Sequence, residues 1–366
     1  MTSGLNDRGQ GNTAPAQGDA SQAQGDAWQA QGCTRSPQGD TSARKGTFFI
    51  PGPCNTRSMS HPSGLVRGWK SGRRIAAGVL SLAPLMLTAC AGGPEPLSLV
   101  DSAPAQRAWA EQCKDWDDWD KPAPPFRIHS DTYYVGTCGI SAILVAGSDG
   151  HTLIDSGTDK GADVVLANIR SLGFFPQDVK TLLMSHEHFD HVGGMAKLQA
   201  ATGARIVTTP AAAAVLRSGK PGADDPQADS DHPPFTPVKG PVSTFTRPIA
   251  QRFAGREFTP ILTPGHTPGA VSWRWRDCDG ADCKTIVYVD SLNAISSDGY
   301  RFSDNPRLVA AMRKGMRDVA RSACDIVLAP HPTSALLRDR LLGTRQLVDR
   351  SGCRNYATTA SARLDK

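Results

Sequence analysis

The chain has 366 residues, 39% hydrophobic and 20% charged. That composition excludes a fibrous or wholly disordered protein and leaves room for one large core or two modest ones. The net charge is +5, but residues 1–89 hold nine Lys/Arg against four Asp, whereas residues 90–366 hold 31 basic and 31 acidic residues. The basic excess therefore belongs to a leader, and a nucleic-acid-binding face on the body is excluded.

Residues 1–58 read as a low-complexity extension. Gln17-Gly18-Asp19-Ala20 recurs from Gln24, from Gln31 in weakened form and from Gln38, with no apolar heptad between. Two explanations stay open: a translated stretch upstream of a true start at Met59, or a genuine disordered extension. Residues 59–89 have the pattern of a secretory signal peptide. Arg67, Lys70, Arg73 and Arg74 precede an apolar run over 75–87, too short for a comfortable membrane span. The run ends in Leu87-Thr88-Ala89-Cys90, which resembles a bacterial lipobox. The expectation is export to the periplasm with lipidated Cys90 as a membrane anchor, ordinary cleavage nearby being the alternative. Residues 90–104 read as a linker and 105–366 as the folded domain.

Export makes the cysteines legible. The body keeps six: Cys113, Cys138, Cys278, Cys283, Cys324 and Cys353. Six cysteines allow 15 pairings. Sequential pairing is expected, because the turn-like segment between Cys278 and Cys283 closes a short loop naturally. A four-cysteine zinc site is the alternative, disfavoured by an oxidising compartment and by the lack of a second close pair.

Residues 104–125 form an N-terminal arm with Trp109, Trp116 and Trp119 among charges; it packs either at the mouth of a site or on plain surface. Strands follow over 132–136, 140–145 and 152–155, with a hairpin turn at Gly147-Ser148-Asp149-Gly150. Val164, Val165, Ile169 and Leu172 recur at helical spacing before Gly173. A buried strand over 179–185 leads into Ser185-His186-Glu187-His188-Phe189-Asp190-His191, which holds three of the chain's nine His. A helix over 193–202, a strand over 205–209 and an Ala-rich helix from Pro210 come next. Residues 219–241 are a long Pro- and Asp-rich loop carrying Gln227 and His232, placed to border a site. Strands over 258–263, 271–276 and 284–290, a helix over 306–322, a strand over 325–329 and a helix from Ser334 complete a second half built like the first.

Three histidine loops each follow an apolar strand: the cluster at 185–191, Gly265-His266-Thr267, and Pro330-His331-Pro332. Imidazole and carboxylate at this density suit zinc. The helical His-Glu-x-x-His motif of zinc peptidases does not fit, because position 190 is Asp. In an extended loop His186 and His188 share one side, which turns Asp190 and His191 toward a second metal.

His186-x-His188-x-Asp190-His191, with Gly265-His266-Thr267 and His331 downstream, is similar to the metallo-β-lactamase superfamily, and to the third subclass of metallo-β-lactamases (subclass B3) within it. The likeness spans roughly residues 105–360. It implies a four-layer αβ/βα sandwich of the α/β class, with two mixed β-sheets flanked by helices and metals at one edge. It also implies two Zn2+ per chain: His186, His188 and His266 on the first, Asp190, His191 and His331 on the second. Asp190 would also orient the attacking water as the catalytic carboxylate. Ser291, Asn293 and Gln227 are the expected substrate contacts, with Asn293 standing where relatives often have Ser or Thr. Glu187 and Phe189 are not expected ligands, and Asp155 is expected to support the site.

The implied reaction is zinc-dependent hydrolysis of the β-lactam amide of penicillins, cephalosporins and carbapenems without a covalent acyl-enzyme, by a monomer. The same resemblance leaves a lactonase or thioesterase open if Asp290 rather than Ser291 faces the metals. A lipid-anchored binding protein of this fold without catalysis would be expected to lack a ligand, and none is missing.

Overall fold

The computed structural model describes residues 102–364. The extension at 1–58, the signal peptide at 59–89 and Cys90 lie outside the described residues. Helix α1 (Ser102–Gln112) begins inside the segment expected as linker and makes the N-terminal arm partly helical. Strands β1 (Phe126–His129), β2 (Thr132–Tyr134), β3 (Ile143–Gly147) and β4 (Gly150–Ile154) precede helix α2 (Gly161–Ser171) and strand β5 (Val179–Leu183). Then come α3 (Phe189–Val192), α4 (Met195–Thr202), β6 (Arg205–Thr208), α5 (Pro210–Ser218) and β7 (Val242–Thr244). The second half holds β8 (Gln251–Phe253), β9 (Arg256–Leu262), β10 (Val271–Asp279), β11 (Asp282–Tyr288), α6 (Pro306–Arg321), β12 (Ile326–Leu328), α7 (Leu337–Leu341) and α8 (Gly352–Leu364).

Two mixed sheets result. The first has seven strands in the order β1 to β7, antiparallel up to β4 and parallel from β4 onward. The second has five strands in the order β12-β11-β10-β9-β8, with β11 and β12 parallel and the others antiparallel. Side chains alternate across a strand, and the sequence uses both faces. Ile154, Leu183, Val207, Ile286 and Leu328 meet between the sheets with Trp109, Trp273 and Trp275. Their neighbours Leu153, Leu182 and Ile206 pack outward under α2, α4 and α5. Val287 and Val327 pack outward with residues of α6 and α8. Strands covered on both faces read as continuous apolar runs, as 179–185 and 325–329 do. The layers are thus helix, sheet, sheet, helix, as expected.

Strand direction then sets the site. The strands β9, β11 and β12 run the same way, so their C-terminal ends share one edge; β4 and β5 likewise end together. The two edges are joined across the sandwich. Val271 N–H donates to the Ser185 carbonyl at 2.7 Å, and Trp273 Nε1–H to the Met184 carbonyl at 2.8 Å.

The cysteines pair sequentially, Cys113–Cys138, Cys278–Cys283 and Cys324–Cys353. Cys278 and Cys283 stand opposite each other in the β10–β11 hairpin, so the presumed loop is the end of two longer strands. The helix expected from Ser334 is a 3-10 turn over Pro332–Ala335 followed by the short α7. Leu336 between them has φ of 53°, which interrupts a continuous helix. Among the described residues no helix is long and apolar enough to cross a membrane.

Candidate metal centre

The loop after β5 is extended only as far as His188. Phe189–Val192 forms the single turn α3, with His188 at its N-terminal boundary in extended conformation. The expectation of an extended loop through His191 is therefore corrected: a helical turn, not strand alternation, redirects Asp190 and His191. Backbone N–H groups of His191 and Val192 donate to the His188 carbonyl at 3.0 Å and close that turn.

Two donor groups meet there, His186 with His188 and His266, and His186 with Asp190 and His191; within each group the ligand atoms lie within 4.8 Å of one another. All of these side chains are buried. His331 joins the second group: its Nε2 lies 3.4 Å from Asp190 Oδ2, and His191 Nε2 lies 2.9 Å from the same oxygen. The six side chains expected as ligands are thus brought together.

The outward nitrogens explain how the rings are aimed. His186 Nδ1 lies 2.9 Å from Asp290 Oδ1, His188 Nε2 3.1 Å from Asp225 Oδ2, and His266 Nδ1 3.1 Å from the Asn293 carbonyl. Asp155 Oδ2 faces His191 Nδ1 at 3.8 Å. An acceptor on one ring nitrogen sets the tautomer and presents the lone pair of the other inward. His186 Nε2 is buried without a hydrogen-bond partner, and the His191 nitrogens face the carboxylates of Asp190 and Asp155 without hydrogen-bond geometry. Orphaned buried nitrogens are costly, and a cation among them would satisfy them. The donor set of imidazoles and one carboxylate suits zinc.

The electrostatics agree. Burial, helped by the neighbouring imidazoles, holds His186 well below the usual histidine range; it takes His266 to about 3 and His331 to about 4. These rings stay neutral, as ligands must be. Burial would raise Asp190, yet its pairing with His191 at 2.9 Å pulls its carboxyl below the usual range. Burial would lower His191, but Asp190 raises it.

Three carboxylates brace the centre. Asp155, with φ of 63°, accepts from Ser185 N–H at 2.6 Å, Ser185 Oγ at 2.7 Å and Tyr288 Oη at 2.7 Å, tying the end of β4 to β5 and to β11. Glu187 turns away from the donors. It accepts from Thr267 Oγ1 at 2.6 Å and Gly269 N–H at 2.7 Å, and burial pushes its carboxyl up to about 7. A side chain on residue 269 would strike Ala212 and Glu187 itself, so glycine makes this approach available. Asp290 sits behind His186, on the ring nitrogen opposite the orphaned one. The lactonase or thioesterase alternative required Asp290 to face the metals, and this placement does not favour it.

Of the expected substrate contacts, Ser291 is buried beside Asp290. Asn293 has two uses: its carbonyl holds His266, and its Oδ1 accepts from Arg363 Nη1 at 3.2 Å. Gln227 is buried, and its backbone N–H donates to Asp225 Oδ1 at 2.8 Å. Its loop borders the centre, with the His232 ring 5.2 Å from His188 and 5.4 Å from Phe189. The arm reaches the centre too. Trp116 and Trp119, 68% and 40% exposed, each lie 6.0 Å from the His331 ring. Trp109 is instead buried between the sheets, so the arm serves both rim and core. Asp225 escaped the sequence reading because its loop carries several equivalent Asp residues. Arg363 lay at the chain end without any motif.

The sequence profile described as the metallo-beta-lactamase superfamily matches residues 135–281. The structure is similar to MIM-2 metallo-beta-lactamase, with 50% identity and a TM-score of 0.66, covering 71% of this chain and 96% of that one. The chain belongs to the metallo-β-lactamase superfamily. It is also similar to MIM-1 from Novosphingobium pentaromativorans, with 45% identity, a TM-score of 0.67 and coverage of 70% and 95%. MEM-A1, a subclass B3 metallo-beta-lactamase from a soil metagenome library, shows 40% identity, a TM-score of 0.64 and coverage of 68% and 96%. These likenesses place the chain in subclass B3. A curated relative, hydroxyacylglutathione hydrolase of Albidiferax ferrireducens, is 29% identical over 120 residues, 33% of this chain and 36% of its own length. The chain thus spans about a third of that relative's length.

Proposed function

We propose that the chain is an exported zinc β-lactamase that hydrolyses the amide of penicillins, cephalosporins and carbapenems and so gives antibiotic resistance. The observation that carries this reading is the convergence of six donors at one sheet edge, with the outer ring nitrogens of His186, His188 and His266 held by acceptors. In this reading His186, His188 and His266 hold one zinc, and Asp190, His191 and His331 hold a second. Bound zinc supplies a Lewis acid for the carbonyl and lowers the pKa of a water toward about 7.

The chain's own residues do the rest. Asp190 has Oδ2 between His191 and His331; its carboxylate orients the attacking water. Ser291 anchors the carboxylate of the substrate, Asn293 flanks it, and Gln227 contacts the substrate from its loop. The aromatic rim of Trp116, Trp119 and Phe189 covers the apolar substituents and thins the water around the donors. No side-chain nucleophile is required, so no acyl-enzyme forms.

Three disulfides in the folded body support export, and the leader with Cys90 supports a periplasmic, lipid-anchored location. All six donors come from one chain, so the site is complete within a single copy, and the proposed form is a monomer. The test is hydrolysis of nitrocefin and a carbapenem with and without a chelator. Turnover that the chelator abolishes and zinc restores is expected. Zinc-loaded protein that leaves penicillin, cephalosporin and carbapenem absorbance unchanged ends the proposal.

A further inference from the structure

A cavity of about 330 Å³ opens beside the centre, between the loop that follows β11 and the 3-10 turn that follows His331. Asn293 and Thr333 line it from these two segments and Trp116 from the arm, and α8 lines it through Tyr356 and Arg363 among others. Asn293 and Thr333 connect this lining to the donors. The Asn293 carbonyl holds His266 at 3.1 Å. Thr333 lies two residues after His331, and its Oγ1 accepts from Trp116 N–H at 2.9 Å. The cavity thus shares Asn293 with the support of His266, although no donor side chain lines it.

The lining is one-sided in charge. It contains Arg340 and Arg363 and no Asp or Glu. Arg340 is engaged, donating to the carbonyls of Ala335 and Gln346 and pairing with Asp349 at 3.3 Å. Exposed Arg363 donates only to Asn293 Oδ1 and has no ion pair among the described residues. Among the described residues this guanidinium meets a neutral amide with one of its five N–H donors, and the others can serve an anion.

We propose that this cavity is a second subsite that takes an anionic substituent on the ring fused to the lactam, with Arg363 as the residue that selects for negative charge. The inference rests on the β-lactamase reading. In that reading Ser291 anchors the ring carboxylate, which puts the fused ring on the Ser291–Asn293 side. A substituent reaching past Asn293 then meets Arg363.

The test uses zinc-loaded full-length chain and cephalosporins that differ only in a 3-substituent ending in a carboxylate, a neutral group or a quaternary ammonium. The readout is the KM ratio of the cationic to the anionic compound. Wild type should favour the anion by about fivefold, the scale of an exposed ion pair. Arg363→Met should bring the ratio to about one, Arg363→Glu should invert it, and Arg363→Lys should keep it above one. Zinc content and melting temperature of each variant establish that the fold is intact. A wild-type ratio near one, or a ratio untouched by Arg363→Met and Arg363→Glu, overturns the subsite and leaves the lactamase function standing. No turnover of any of the three compounds by wild type overturns both.

Discussion

Removing Glu187 should loosen the metal centre although Glu187 binds no metal in the proposed site. Its two oxygens clamp the His266 loop, through Thr267 and Gly269, onto the loop that carries His186 and His188. Glu187→Ala orphans two donors inside the protein, and each orphan costs about 1–3 kcal/mol. Thr267 can rotate its hydroxyl, so the net destabilisation should be about 2–4 kcal/mol, a fall in Tm of about 5–12 °C for a domain of this size. With His266 released, affinity for the first zinc should fall about 10- to 100-fold, as when other outer partners of metal sites are removed. Glu187→Gln separates the clamp from the charge. Its carbonyl can accept from Gly269 and its amide can donate to the hydroxyl, so zinc affinity should stay close to wild type. The sign of the pH effect follows from burial. The folded carboxyl is raised from 4.5 to about 7, so the fold binds the extra proton. Its stabilisation is full below about 4.5 and is lost as pH rises through about 7, roughly 3 kcal/mol in total. In metal-free protein Glu187→Gln should flatten that slope. Chelator-competition zinc affinity and thermal melts from pH 4.5 to 8 measure these quantities. A Glu187→Ala protein with wild-type zinc affinity and a Tm within about 1 °C of wild type would refute the clamp.

Four further outcomes follow from the same geometry. His191→Ala or His331→Ala should reduce bound zinc from two per chain to about one, and a count that stays at two by metal analysis sinks the proposed split. Asp225→Ala should weaken zinc binding about tenfold by freeing the outer nitrogen of His188; equal affinities in the same chelator competition would show that Asp225 does not aim that ring. Chelation should lower the Tm of wild type, since a ligand at 100 times its Kd stabilises the fold by about 2.7 kcal/mol, and an identical melt with and without zinc is the contrary result. Losing Cys324–Cys353, with 29 residues of separation, should destabilise more than losing Cys278–Cys283, with 5: about 3.5 against 2 kcal/mol on chain entropy. Urea unfolding of the paired Ala variants ranks them.

The strands and the donors were legible because each carries a local signal. Leu182-Leu183-Met184 and Ile326-Val327-Leu328 are apolar on both faces, and a histidine follows each within a few residues. What was missed is set by tertiary contact. The short strands β1, β7 and β8 have three or four residues, and pairing rather than pattern defines them. The turn at Phe189–Val192 overrides the alternation expected after His188, because the His188 carbonyl captures the N–H groups of His191 and Val192. Asp225 and Arg363 are ordinary charged residues in sequence. Only the closure of the 219–241 loop and the packing of α8 bring them to the centre.

The division of labour among the acidic residues explains why so few of them were expected to matter. Asp190 alone stands among the inward-facing nitrogens. Asp225 and Asp290 each hold the outer nitrogen of one ring, Asp155 stands 3.8 Å behind a third, and Glu187 holds the loop that carries a fourth. These partners come from β4, the 219–241 loop and the end of β11, segments that meet only when both sheets are packed. The aim of each ring is therefore set by the packing of both sheets as well as by its own loop. The cost is a cluster of buried imidazoles with orphaned nitrogens. Satisfying those nitrogens with a cation couples metal affinity to the stability of the fold.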